Sequence, residues 1–148
     1  MTTLDTQEII DRLPARLLAL EGAVDELQQS PTEDQFKKSE ILSLFDNSMA
    51  EIDYLLRKLL GEWLANPELA MDYSRKTAFR RAGLYSLISL GECKRWMTYC
   101  NGADRNSILF ATAKKVNENE ILAFLPEFIV DARKMVKILE QEANDIEI

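Results

Sequence analysis

Apolar residues recur at intervals of three and four over most of this chain, and nowhere do they alternate with polar ones in a run of β-branched residues. Three-four spacing lines apolar side chains along one stripe of an α-helix, whereas a strand needs a period of two. In residues 6 to 29 the stripe is Ile10, Leu13, Leu17, Leu20, Val24 and Leu27. It predicts a first helix, begun or kinked at Pro14. "SPTEDQ" then reads as a helix start, with Ser30 as N-cap, Pro31 at the first helical position, and Glu33 and Asp34 beside the positive end of the dipole.

The second stripe is Leu42, Phe45, Met49, Ile52, Leu56, Leu59 and Trp63, ending near Ala65 where "NPE" interrupts it. Leu44, Leu55, Leu60 and Leu64 give this helix a second apolar face, so neighbours are expected on both sides. A monomer would leave part of that surface in water, and a second copy of the chain is expected to cover it. A shorter helix is predicted over about Ser74 to Ala82, with Gly83 as its stop and "SLISLGE" as connector, and another over Glu92 to Cys100, ending at "NG". The last opens near Asn117 or Asn119 and carries Ile121, Leu125, Phe128, Ala132, Met135 and Leu139; Pro126 inside it predicts a kink or the true start. The prediction is an all-α fold, an antiparallel up-and-down four-helix bundle with the third helix broken in two, in one domain over residues 1–148.

With 47% hydrophobic and 29% charged residues in 148, the chain can bury a substantial core. No run reaches the roughly 18 to 20 apolar residues of a membrane helix, and the N-terminus lacks a signal-peptide pattern, so no membrane contact and a cytoplasmic location are expected. Cys93 and Cys100, seven apart on one helix, are about 10 Å from each other, too far for a disulfide, and are expected as reduced thiols. The chain has no histidine. That removes the commonest general base and zinc ligand, and with no Cys cluster or Gly-rich phosphate loop, no metal or cofactor is expected. Glu51 and Asp53 in "EIDYLLRK" do not share a helix face, and "ENE" at 118–120 reads as helix-start chemistry.

The net charge of −7 is unevenly distributed. Residues 73 to 115 hold nine Lys and Arg against two acids, a balance of +7, which leaves −14 for the remainder. Two readings stand at this point: cations that balance the acidic helices, or a surface for phosphate-bearing ligands. "SRKTAFRR" is the richest part, with Arg75, then Lys76 and Arg80 on one helix face and Arg81 adjacent. The acidic remainder argues against duplex DNA as a partner.

The order of four pieces resembles the nucleotidyltransferase substrate-binding proteins of the HEPN superfamily: "LFDNSMAEIDYLLRKLL" (44–60), "SRKTAFRRAGLYSLI" (74–88), "KRWMTYCNGADRNS" (94–107) and "EILAFLPEFIVDARKMV" (120–136). Their order and spacing, over about residues 15 to 140, carry the likeness. Members share a motif of Arg, a polar residue, three more residues and His, often followed two positions on by Tyr. Here Arg105 and Asn106 match, but Phe110 stands at the histidine position and Thr112 at the tyrosine position. A phenyl ring cannot activate a ribose 2′-hydroxyl, so ribonuclease activity is not expected. Arg105 and Asn106 then serve either as helix cap and salt bridge or as a retained ligand-facing pair. The resemblance implies a non-catalytic, homodimeric binding subunit for a small nucleotidyltransferase, with a nucleotide or other phosphate-bearing ligand within reach of the basic segment. The alternatives are a metal-independent, toxin-type ribonuclease and a dimeric scaffold that binds no nucleotide.

Overall fold

The structure, a computed structural model, describes residues 4–29, 35–106 and 116–146. Among these there are six helices and no strand: α1 (Leu4–Gln29), α2 (Gln35–Trp63), α3 (Pro67–Asp72), α4 (Arg75–Leu84), α5 (Leu90–Ala103) and α6 (Glu118–Ile146). The all-α expectation holds. The positions proposed for Ser30, Pro31, Glu33 and Asp34 lie outside the described residues.

The three long stripes are buried as their spacing requires. Ile10, Leu13, Leu17, Leu20 and Val24 of α1, the α2 stripe from Leu42 to Leu59, and all six α6 positions from Ile121 to Leu139 are in the core; Leu27, near the end of α1, is half-buried, and Trp63, at the end of α2, stands partly in water. Side-chain pairs fix the directions. Arg12 meets Glu51 and Lys37 meets Glu26, so α1 and α2 are antiparallel. Arg95 pairs with Asp131 and Gly102 abuts Phe124, so α5 and α6 are antiparallel too. Phe45 of α2 packs on Phe124 and Phe128 of α6, with centroids 5.5 and 4.9 Å apart, while Leu55 and Leu59 line one cavity with Leu139, which makes α2 and α6 parallel neighbours.

Helix α2 does have neighbours on both sides, as its double apolar face predicts, but they belong to the same chain. It packs against α1, α3, α4, α5 and α6, and Leu55 and Leu60 are buried among them. The argument for a second copy drawn from α2 is therefore removed.

Three expectations about the middle of the chain are corrected. "NPE" does not merely end α2; Asn66 caps a further short helix, its Oδ1 accepting the Leu69 N–H at 3.1 Å, with Pro67 in the first turn. Residues 74–103 are not one helix broken in two but an antiparallel hairpin, with Phe79 stacked on Trp96 at 4.7 Å and Gly83 against Cys93. Gly83 is inside α4 rather than at its stop. A Cβ there would lie 3.2 Å from the Cys93 Sγ, so the glycine serves close packing of α4 on α5. The stop is Ser86, in the left-handed conformation at φ 63°, with its N–H bonded to the Gly83 carbonyl and that of Leu87 to the Ala82 carbonyl. Ala65 ends α2 in the same way at φ 51°, through Ala65 N–H to Glu62 and Asn66 N–H to Gly61. Glycine usually holds this position because a Cβ costs about 1–2 kcal/mol there.

Capping residues set the remaining boundaries. Ser89 and Glu92 form a reciprocal capping box at α5, with N–H to oxygen distances of 3.1 and 3.2 Å. Asn117 opens α6 by accepting the Glu120 N–H at 2.9 Å. That helix runs through Pro126 rather than starting there, as α1 runs through Pro14. Both prolines lie on exposed faces, where water can satisfy the carbonyl each one frees.

Opposite effects are expected at Gly61 in α2 and at Ala65 just beyond it. Ala65→Gly should raise stability by about 1 kcal/mol by relieving the left-handed Cβ. Gly61→Ala should lower it by about 1–3 kcal/mol despite alanine's better helix propensity, because the new Cβ would sit 2.9 Å from the Pro67 Cα. Urea midpoints of the two variants should move in opposite directions.

Candidate functional site

The charges singled out in the sequence divide into those turned inward and those left outside. Arg105, just past α5, reaches α2: its Nη1 and Nη2 donate to Asp46 at 2.8 and 3.0 Å, and Nη1 also donates to the Gly102 carbonyl at 2.9 Å. Its side chain is 11% exposed. A bidentate geometry of this kind holds both groups firmly. Arg75, in the first turn of α4, lies between two acids, with Nε 3.5 Å from Asp53 and Nη1 3.2 Å from Asp104.

Asp53 itself is 2% exposed and is held also by Arg57, four residues on in α2, which donates to it through Nε at 3.0 Å and through Nη2. Arg57 then donates to the carbonyls of Met71 and Tyr73, at 3.1 and 3.3 Å, and so ties the α3–α4 connection to α2. Asp104 is the C-cap of α5. Burial raises its pKa, with the Arg75 charge opposing. Burial likewise raises the Cys100 thiol, aided by the Asp104 charge, and leaves that cysteine an inert packing residue. Both cysteines are free, as expected.

Of the others, Lys76 and Arg81 are half-buried, and Arg80 and Asn106 lie at the surface. Lys76 feels the Asp104 charge, Arg81 lies over the Tyr73 ring at 5.8 Å, and Arg80 and Asn106 are exposed. Lys76 and Arg75 both act on Asp104. The groove of about 540 Å³ between α5 and α6 is lined by Thr98, Asn101, Val116, Glu120, Ala123, Phe124 and Glu127, with none of the cations among them. Phe110 and Thr112 lie outside the described residues. Among the described residues no group of His, Cys, Asp and Glu is arranged to hold a metal ion, and no helix is long and apolar enough to cross a membrane.

Sequence reasoning missed the most tightly bonded polar cluster. Asp131 of α6 is 2% exposed; it accepts from Arg95 Nε and Nη2 at 2.8 and 3.0 Å and from the Tyr99 hydroxyl at 2.5 Å. Burial pushes the Asp131 carboxyl up, but the bonds from Arg95 and Tyr99 outweigh it and leave its pKa below the ordinary carboxylate value. Tyr99 is pushed up, first by burial and then by Asp131, so it stays a neutral donor. The signal was present in the sequence: Asp131 sits three residues from Phe128 and four from Met135, on the buried stripe itself.

A carboxyl held low in the folded state stabilises it fully above the unfolded value near pH 4, and that contribution is lost as pH falls through the folded value. Asp131→Asn should therefore cost about 2 kcal/mol at neutral pH, lowering Tm by roughly 4–8 °C. It should also lose less stability than the parent between about pH 5 and pH 2, which urea unfolding across that range would measure.

Compared with protein-family models, curated proteins and solved structures, the chain matches none.

Proposed function

We propose that this chain is a non-catalytic binding subunit that works beside a small nucleotidyltransferase. The observation that carries the reading is the state of Arg105. The one motif arginine left by the Phe110 replacement is bonded twice to Asp46 and once to a backbone carbonyl. An arginine so committed has little freedom to stabilise a phosphate in a transition state, and the chain has no histidine to act beside it. On α4, Lys76 and Arg80 are four residues apart with Arg81 adjacent, an arrangement suited to a phosphate-bearing ligand or an acidic partner.

The order of sequence pieces supplies the partner class, and homodimerisation comes with the same resemblance. The test is co-purification of the tagged chain with the products of neighbouring reading frames. Recovery of a nucleotidyltransferase in a stable complex, with light scattering giving two copies of this 17.0 kDa chain, is the expected result. Recovery of a dimer alone would reduce the reading to a scaffold.

The purified chain should leave single-stranded RNA intact in the absence of metal. Cleavage that vanished in an Arg105→Ala variant would overturn the non-catalytic reading, because a contaminating nuclease would not respond to that change.

A further inference from the structure

Large apolar side chains gathered in water at one place mark a surface that another molecule covers. The turn joining α4 to α5 is such a place. Leu84, the last residue of α4, is 71% exposed, and Leu90, the first of α5, is 80% exposed. Between them Tyr85 packs edge-on against Trp63 of α2 at 6.0 Å, each of the two rings 39% exposed. The left-handed residues Ala65 and Ser86 adjoin this pair, so both chain reversals present apolar side chains at the same end of the molecule.

One helical turn back from each leucine stands a cation. Arg80 precedes Leu84 by four residues and Lys94 follows Leu90 by four, which puts each on the same helix face as its leucine. Both are exposed, and neither enters an ion pair among the described residues, in contrast to Arg75, Arg95 and Arg105. An apolar tip with a cation on each arm matches an element that is apolar in the middle and acidic at its margins.

We propose that this tip is a docking surface for an amphipathic helix of a partner protein, with Glu and Asp on the polar face of that helix. The inference rests on the reading of the chain as a partner-binding subunit, not on which protein the partner is. Two other occupants fit less well. A two-fold contact of the tip with its own copy would bring Arg80 and Lys94 against their twins, and like charges at close range oppose association. An anionic membrane would repel a molecule of net charge −7, with only two cations at the tip to offset that.

Trp63 supplies the readout. The chain has two tryptophans, and Trp96 is fully buried, so a change in emission on docking reports Trp63. The probe is a synthetic helical peptide of about 18 residues with a leucine stripe and a glutamate face, compared with its lysine-faced twin. The glutamate peptide should shift the emission to the blue and bind at least about tenfold more tightly than the twin, with affinity falling as salt rises. The double variant Leu84→Ser with Leu90→Ser should abolish the shift, and Arg80→Ala with Lys94→Ala should weaken binding about tenfold while the melting temperature stays unchanged. Equal binding of the two peptides, or none, would overturn the proposal. So would a blue shift with phosphatidylglycerol vesicles but not with peptide, which assigns the tip to a membrane, or a shift on concentrating the chain alone, which assigns it to a second copy. Should the leucine double variant still co-purify with a nucleotidyltransferase, this surface is wrong and the proposed function stands; should the parent chain co-purify with none, the reverse holds.

Discussion

Helix α2 is packed on by five others, and its three acids between residues 46 and 53 all meet cations of the fold, from the buried Asp53 to Asp46, whose side chain is 41% exposed. Glu51 takes Arg12 and Arg16 from α1, Asp53 takes Arg57 from its own helix and Arg75 from α4, and Asp46 takes Arg105 from beyond α5. Each pairing between elements fixes one neighbour to α2. The cations that looked segregated in residues 73 to 115 are, to this extent, the counterparts of an acidic central helix.

The same constraint decides what can become of the Arg-Asn pair. Asp46 lies four residues after Leu42 and one after Phe45, beside the buried stripe, with its side chain 41% exposed and within reach of the end of α5. Arg105 supplies two bonds in a fork geometry that lysine could not reproduce. The structural use of the arginine is thus sufficient to account for its place, and the exposed neighbour Asn106 has no part in it. Arg80 and Lys94 stay outside such pairs among the described residues, exposed on the α4–α5 hairpin.

A second polar cluster closes the opposite side of that hairpin. Asp131, Arg95 and Tyr99 join α5 to α6 beneath a set of aromatic rings in which Trp96 touches Phe79, Tyr99 and Phe128. Hydrogen bonds have fixed directions where apolar contacts do not, so these three residues set the register of α5 on α6 in a way the rings alone would not.

The sequence by itself determined the class of fold and the contents of its core. Period alone placed Ile10 to Val24, Leu42 to Leu59 and Ile121 to Leu139 inside, because a helix with a wide apolar stripe must bury it wherever it folds. It also held the local stops and starts that rest on neighbouring residues, such as Asn117 before α6. Other features depended on contacts between residues far apart in the chain. Gly83 reads as a helix stop until Cys93 is seen against it, and the reversal falls to Ser86 and Ala65, whose composition gives no hint of a left-handed backbone. The second face of α2 asked for a partner, and only packing showed that the partner is the rest of the same chain. Nor does sequence distance bring Arg105 to Asp46, 59 residues away. Periodicity carries information over one or two turns of helix, whereas the choice of ion-pair partner and of covered face is made by which helices lie side by side, and that is a property of the assembled bundle.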